Sequence, residues 1–316
     1  MATAKKVFEV ARQSEAEDLN PRTAGAIERA NTARAQTDRL TAAAAADLGQ
    51  ARGLDTTAAS LAAEADRPGA DVKAVAVKGR QLAIAAMKDR SPFAQQAAAR
   101  ALSGTDLDVL DYLRTGWGEA ERRDVRQQVF DLTTQSPYEA VRTGAANALK
   151  GSDQQVADFA GAGQYQAALS DLQVKVSQVN NTGGPGVKEA SRAALASNDP
   201  KAMAAFLVSG QYGALVDDDR VTASKLVNTG GPEVQAAAKV ALAGPADELH
   251  EFVQVGQYMA DRKDQLTATH TAQMQRLIAD TSGVAATARQ KSWTAAKSTA
   301  DANKAADEAN RAARRG

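Results

Sequence analysis

The stretch Phe206-Leu207-Val208-Ser209-Gly210-Gln211-Tyr212 contains an aromatic residue, a glycine four positions later, and then Gln-Tyr. The same arrangement ends in Gly163-Gln164-Tyr165 and in Gly256-Gln257-Tyr258, following Phe159 and Phe252. The three glycines are 47 and 46 residues apart, and another step of 47 residues back reaches Gly116, four positions after Tyr112. A constant period of this length is typical of helical repeat proteins. The sequence therefore predicts a repeat array that presents an extended surface.

Each repeat is predicted to contain three helices, in an armadillo-like order. Pro92, Pro137, Pro185 and Pro232 open a first helix rich in alanine, because proline fits the first helical turn, where its missing N–H is not needed. A second helix ends in the aromatic-x-x-x-Gly pattern, in which we expect the glycine to be a left-handed C-terminal cap. A third helix runs to the next break. The predicted fold class is all-α.

The chain divides into three predicted regions. Residues 1–70 form a stalk-type helix with an early break at Pro21, and Arg67-Pro68-Gly69 marks its end. Residues 72–282 form the repeat array, with repeats near 91–135, 136–183, 184–230 and 231–282. Residues 283–316 start like a fifth repeat and then continue as a terminal helix.

Both flanking regions have the composition of long coiled-coil-type helices. Leu40, Leu48, Leu54 and Leu61 recur at intervals that average seven residues, with alanines between them. Such spacing favours a seam along which helices pack closely. We expect the regions before Arg67 and after about Trp293 to pair with each other or with another part of a longer parent protein.

Composition excludes several classes of function. Lys and Arg total 38 and so do Asp and Glu, so the chain has no basic excess for a nucleic-acid surface. The chain has no cysteine, which excludes disulfides and thiolate chemistry. No apolar run is long enough for a membrane span. The start has no signal peptide, and we expect the chain to be a fragment whose export signal lies elsewhere.

The repeated apolar residues are interpreted as structural. The aromatic residues should pack in the core between successive repeats, since burying one such ring stabilises by roughly 1.5–3 kcal/mol. The structural repeat positions are Leu102, Tyr112, Gly116, Leu149, Phe159, Gly163, Leu195, Phe206, Gly210, Leu242, Phe252 and Gly256.

The residues after each glycine are the candidates for partner binding. These are Gln164, Tyr165, Gln211, Tyr212, Gln257 and Tyr258. An exposed tyrosine offers a large contact area at low entropic cost, so a partner could dock on it. The alternative is that each tyrosine packs over a turn while each glutamine hydrogen-bonds the loop backbone. In the first repeat, Trp117 and Gly118 occupy these positions.

No pattern in the sequence predicts catalysis, a metal site or a cofactor. Asp124, Asp171, Asp218 and Asp264 each stand eight residues after a repeat glycine. An acid repeated at one place in four repeats is expected to cap the third helix or to pair with a neighbouring repeat. The chain is therefore not expected to be an enzyme.

The repeat resembles the ALF repeat of actinobacteria, named for Ala, Leu and Phe. The pattern reads Ala101-Leu102 with Tyr112, Ala148-Leu149 with Phe159, Ala194-Leu195 with Phe206, and Ala241-Leu242 with Phe252. The first repeat departs from the pattern by carrying tyrosine.

The order of a stalk-type helix, four repeats and a second helix resembles one flank of the secreted polymorphic toxins of Streptomyces that form umbrella toxin particles. The resemblance implies an extracellular, non-enzymatic scaffold for antibacterial competition. Its repeats would form a ring that docks an adaptor protein bridging to a lectin, together with further ALF repeats and the stalk helix of the same polypeptide. The alternative is an intracellular helical-repeat adaptor that binds a peptide or protein.

Overall fold

A computed structural model describes residues 2–313, and within that range the chain is helical and contains no β-strand. The α-helices are α1 Ala2–Ala65, α2 Val72–Asp89, α3 Pro92–Ser103, α4 Asp106–Asp111, α5 Trp117–Gln135, α6 Glu139–Ala148, α7 Asp153–Asp158, α8 Gln164–Ala167, α9 Leu169–Thr182, α10 Pro185–Ala196, α11 Pro200–Ala205, α12 Gln211–Thr229, α13 Pro232–Ala243, α14 Ala246–Glu251 and α15 Gln257–Ala313. Four five-residue π-helical turns complete the structure: π1 Tyr112–Gly116, π2 Phe159–Gly163, π3 Phe206–Gly210 and π4 Phe252–Gly256. The predicted all-α repeat fold flanked by long helices is confirmed.

The chain forms two compact units. One contains Arg34–Asp219, and the other contains Met1–Ala33 together with Arg220–Gly316. In the first, α2 and α3 pack together, and so do α5 with α6 and α9 with α10. In the second, the principal packing is between α13 and α15.

Helix α1 continues through a proline. Pro21 lies inside the helix, so the break predicted there is wrong. The helix ends at Ala65, and the chain turns through Gly69, whose φ of 78° lies in the left-handed region that glycine enters without steric cost. Asp71 then caps α2 by accepting hydrogen bonds from the amides of Lys73 and Ala74.

The leucine seam of α1 is only partly buried. Leu61 belongs to a buried cluster with Val75, and Leu54 packs against it from the side. Leu40 and Leu48 are 74% and 64% exposed. Pairing of this exposed part of the seam with another helix stays a prediction.

The C-terminal flank is also one continuous helix. α15 runs from Gln257 to Ala313 without a break at Gly283, where the start of a fifth repeat was predicted. The three residues 314–316 of that predicted terminal segment lie outside the described residues. In the same compact unit, Glu233 accepts from Arg22 of α1 at 2.7 Å and from Lys263 of α15 at 2.6 Å. Burial raises the pKa of Glu233, but these two cations outweigh burial and lower it below its ordinary value.

The first, third and fourth repeats have three α-helical segments each, and the second has four because its last helix is divided at Ala168 into α8 and α9. In every repeat the second segment is joined through a π turn to the next without a loop. In the third repeat, for example, α11 passes through π3 directly into α12. Pro92, Pro185 and Pro232 occupy the first turns of α3, α10 and α13. Pro137 does not open its helix, because α6 begins at Glu139, two residues later.

Aromatic and alanine side chains form the core between these helices. Tyr112, Phe206 and Phe252 are buried, at 4%, 6% and 7% exposure. Phe159 is half-buried, so the expectation of a fully buried ring at that position is wrong. Close helix packing instead buries alanines, and the four repeat leucines Leu102, Leu149, Leu195 and Leu242 are half-buried.

Candidate functional site

The Gly-Gln-Tyr sequences lie inside helices, where each follows a π-helical turn. The backbone N–H of Gln211 donates to the carbonyl of Phe206, five residues earlier, instead of to Leu207, four residues earlier. The N–H groups of Gln164 and Gln257 donate in the same way to Phe159 and Phe252. A π turn inserts one extra residue into a helix and is frequent at functional sites. The loop predicted at this position is therefore a widened helical turn.

The repeat glutamines satisfy the carbonyl that each π turn releases. The side-chain amide of Gln164 donates to the carbonyl of Ala160, and those of Gln211 and Gln257 donate to Leu207 and Val253. Each acceptor is the carbonyl four residues before the glutamine, to which the backbone N–H of the glutamine would donate in a regular α-helix. A buried carbonyl without a partner is unfavourable. The glutamines thus stabilise the turn. Their contact with a partner stays a prediction.

The repeat glycines make room for the aromatic ring one turn earlier. None of Gly116, Gly163, Gly210 and Gly256 has a positive φ, so the predicted left-handed caps are wrong. A Cβ atom at Gly163 would lie 2.8 Å from Cδ2 of Phe159. At the other three glycines the corresponding distance to the aromatic ring is 3.2 or 3.3 Å. Glycine is favoured here because the widened turn brings its Cα close to the ring, most tightly at Gly163.

In the third and fourth repeats the aspartate caps the first helix of its own repeat, so the predicted cap of the third helix is wrong. Asp218 accepts from the amides of Gly186 at 2.8 Å and Val187 at 3.1 Å, at the start of α10. A Cβ atom at Gly184 would lie 2.4 Å from Oδ2 of Asp218. The Gly-Gly-Pro sequence therefore opens a helix whose N-terminal amides are capped by a carboxylate from another helix, where an anion is stabilised.

The same capping occurs in the fourth repeat and changes in the first two. Asp264 accepts from the amides of Glu233 at 3.0 Å and Val234 at 3.2 Å. Asp124 accepts from the hydroxyl of Ser91, which itself caps α3. Asp171 is exposed, and in the described structure it accepts no hydrogen bond from the start of α6.

In the first repeat, Trp117 takes the place of the glutamine and contacts α1. Its indole N–H donates to Asp55 at 3.3 Å, and Arg90 lies 5.1 Å from the indole ring. Arg90 also pairs with Asp55 through two hydrogen bonds, at 2.6 and 3.1 Å. Tyr112 packs edge-on against Trp117. In the first repeat, the residue after the glycine therefore holds α1.

The repeat tyrosines differ in their surroundings. Tyr212 and Tyr258 are 60% and 67% exposed, and Val255 near Tyr258 is 53% exposed. Tyr165 is half-buried and lines a groove. The exposure that partner binding requires is present at Tyr212 and Tyr258, and binding itself stays a prediction.

The groove beside Tyr165 has a volume of about 800 Å³ and lies within the compact unit Arg34–Asp219. It is lined by Ser91, Pro92, Phe93, Asp124, Gln127, Gln128, Asp131, Leu132, Gln135, Ser136, Pro137, Tyr138, Val141, Gln164, Tyr165, Ala168, Leu172, Ala204, Leu207 and Val208. We call it the inter-repeat groove, because segments of three successive repeats form it. A concave, mostly apolar surface with a few polar groups is the common form of a binding site.

Most of the groove-lining residues were not predicted from the sequence. Val208, two residues after the buried Phe206, is 77% exposed. Tyr138 follows Pro137 in the second repeat, where the interval from the proline to Leu149 is 12 residues instead of the 10 of the other repeats, and that difference was the available signal. Phe93, Leu132 and Leu207 have the ordinary helical spacing of core residues, and only packing places them at a surface.

The described residues offer no metal site or membrane helix. Within residues 2–313, no group of three or more His, Asp or Glu side chains could hold a metal ion. In the same range, no helix combines the length and apolar character that a membrane span needs.

Comparison with known proteins gives one family. Residues 80–120, 126–167, 174–214 and 220–260 each match the model of ALF, described as short repeats of unknown function. Together these segments cover slightly more than half of the chain. Each contains one aromatic-x-x-x-Gly turn, so the count agrees with four repeats, although each match begins in the helix before the proline. No curated protein matches the chain in sequence.

Proposed function

Since this chain belongs to the ALF short-repeat family, we propose that it is a non-enzymatic scaffold whose repeats dock a protein partner. The inter-repeat groove is the observation that carries the proposal. The groove is concave and mostly apolar, and it combines the half-buried Tyr165 with the exposed Val208. Aromatic residues in a pocket are the usual energetic anchors of protein interfaces.

The roles of the polar repeat residues also support a scaffold. Asp218 and Asp264 cap helices, and the glutamines of the π turns satisfy backbone carbonyls. A catalytic carboxylate needs a second chemical group within hydrogen-bond reach of a substrate. Folding accounts for Asp218, Asp264 and the glutamines of the π turns, and we assign no reaction to them.

We further propose that the partner is an adaptor protein that bridges to a lectin, within a secreted antibacterial complex. This step rests on the resemblance of the repeat-and-stalk order to the umbrella toxin polypeptides of Streptomyces. In that arrangement, the repeats and flanking helices of the parent polypeptide would form the ring to which the adaptor binds. The long exposed helices α1 and α15 on either side of the repeats are consistent with stalk segments.

Capture experiments test the proposal. The purified chain would be immobilised and exposed to culture supernatant of the source organism, and captured proteins would be identified by mass spectrometry. Variants with Tyr165, Tyr212 and Tyr258 changed to alanine, singly and together, would be compared after circular dichroism confirms their fold. We expect the triple variant to lose capture of the adaptor. If it remains folded and captures the adaptor as well as the wild type, the tyrosines do not form the docking surface.

The cellular location separates the proposal from an intracellular adaptor. We expect the parent protein in the culture supernatant, associated with a lectin-containing particle visible by electron microscopy. A parent protein found only inside the cell, bound to an intracellular partner, would contradict the secreted scaffold.

A further inference from the structure

We propose that the inter-repeat groove binds a short, basic, amphipathic segment of the partner protein. This inference rests on the proposed docking function and specifies the chemistry of the docked segment. Its apolar side chains would pack on Tyr165, Leu207 and Val208, and its lysine or arginine side chains would approach Asp124 and Asp131.

The charge of the groove is one-sided. Asp124 and Asp131 line it, and no Lys, Arg or His is among the residues that do so. Among the described residues, neither carboxylate forms an ion pair; Asp131 accepts from Gln127 at 2.8 Å, and Asp124 accepts from Ser91. Hydrogen bonds from an amide and a hydroxyl leave both negative charges without a counter-charge. Complementary charges across an interface select a cationic partner over an acidic one.

The aromatic wall of the groove already has a cation of the chain itself beside it. The ammonium group of Lys175 lies 4.9 Å from the centre of the Tyr138 ring, although Lys175 does not line the groove itself. An aromatic face attracts a cation through its quadrupole. Because Lys175 already lies over this ring and repels a second cation, the attraction for a basic segment comes from Asp124 and Asp131.

The apolar wall indicates a polypeptide as the occupant. Leu207 is half-buried, whereas Val208, the next residue of π3, is 77% exposed at the edge of the groove. A small molecule seated in the groove would leave this edge in water, whereas a segment that continues beyond the groove would cover it. An amphipathic segment laid into an apolar groove is a recurring mode of recognition.

Binding of model peptides tests the charge and the site. The probe is a fluorescein-labelled amphipathic peptide of lysine and leucine at helical spacing, compared by anisotropy with its glutamate–leucine counterpart and with a scrambled lysine–leucine peptide. We expect the wild-type chain to bind the basic amphipathic peptide at least about tenfold more tightly than either of the others, with affinity that falls as salt is added.

Matched variants locate the interaction. Asp131→Lys should weaken binding of the basic peptide about tenfold, whereas Asp158→Lys should leave it unchanged. Asp158 is the control because it accepts from Gln154 at 2.8 Å in the same i, i+4 geometry but lies outside the groove. Tyr165→Ala should also weaken binding about tenfold or more, and Tyr212→Ala, at the same position of the next repeat, should not.

Specific outcomes would overturn the inference. It fails if the basic and acidic peptides bind equally, if no basic peptide binds, or if Asp131→Lys and Asp158→Lys behave alike. The capture experiment separates this failure from failure of the docking function. A partner that is captured equally by wild type and by folded Asp131→Lys would refute the basic segment and leave the scaffold in place. Absence of any captured partner would instead refute the scaffold.

Discussion

One edge of the Phe159 ring lies against two glycines, and this arrangement predicts a specific double-mutant result. A Cβ atom at Gly163 would lie 2.8 Å from Cδ2 of Phe159, and one at Gly144 would lie 2.7 Å from Cε2 of the same ring. Gly163 approaches the ring from the π turn and Gly144 approaches it from α6.

The magnitude follows from two opposing effects of Gly163→Ala. Alanine favours a helix over glycine by about 1 kcal/mol. Forcing a methyl group against a packed ring costs about 1–3 kcal/mol. We therefore expect Gly163→Ala to destabilise the wild-type chain by up to about 2 kcal/mol. In a Phe159→Ala background the ring is absent, and the same substitution should stabilise by about 0.5–1 kcal/mol.

Urea unfolding followed by circular dichroism measures the cycle. The four chains are wild type, both single variants and the double variant, and their m-values must agree for the comparison of free energies to hold. We expect a coupling free energy of about 1–3 kcal/mol between the two sites. The control is Gly161→Ala in both backgrounds, because a Cβ atom at Gly161 meets nothing within 4 Å. Equal effects of Gly163→Ala in the two backgrounds would refute the steric explanation of the repeat glycine.

Four further predictions concern residues of the repeats. The hydroxyl of Tyr112 is buried without a hydrogen-bond partner, so Tyr112→Phe should raise the free energy of unfolding by about 1–2 kcal/mol, and Phe206→Tyr should lower it; a destabilised Tyr112→Phe variant would contradict this. Burial raises the pKa of Tyr112 from 10.0 to about 12. Between pH 10 and 12 the tyrosine therefore ionises in the unfolded chain but not in the folded chain, so the free energy of unfolding of the wild type, but not of Tyr112→Phe, should fall as pH rises. Urea unfolding at each pH measures this difference. Asp218→Ala should cost about 1–2 kcal/mol because two helix N-terminal amides lose their acceptor, whereas Asp171→Ala should change stability by less than about 0.5 kcal/mol; equal losses would contradict the capping role. Phe206→Ala should cost about 3–5 kcal/mol in thermal or urea unfolding because its alanine-rich neighbours cannot refill the cavity, and an unchanged melting temperature would contradict its place in the core.

The sequence by itself determined the repeat array and its helical character. A recurring tripeptide and a recurring proline give the period directly, and alanine-rich composition with few β-branched runs favours helices over strands. Burial of Phe206 and Phe252 also followed from the pattern, since a bulky ring on an alanine-lined helix has to pack between helices. These features depend on residues close together in the chain, where spacing reports structure.

The tertiary structure decided what the repeated polar residues do. Glycine before Gln-Tyr has the local pattern of a helix cap, but the helix continues through a π turn, because the glutamine satisfies the carbonyl that the turn releases. The aspartates cap a helix that begins about thirty residues earlier, a distance at which spacing alone does not identify a partner. The inter-repeat groove is formed by side chains of three successive repeats, each of which has the ordinary spacing of a helical core residue. Only the packing of successive repeats determines which of those apolar residues are covered and which, like Val208, remain at the surface.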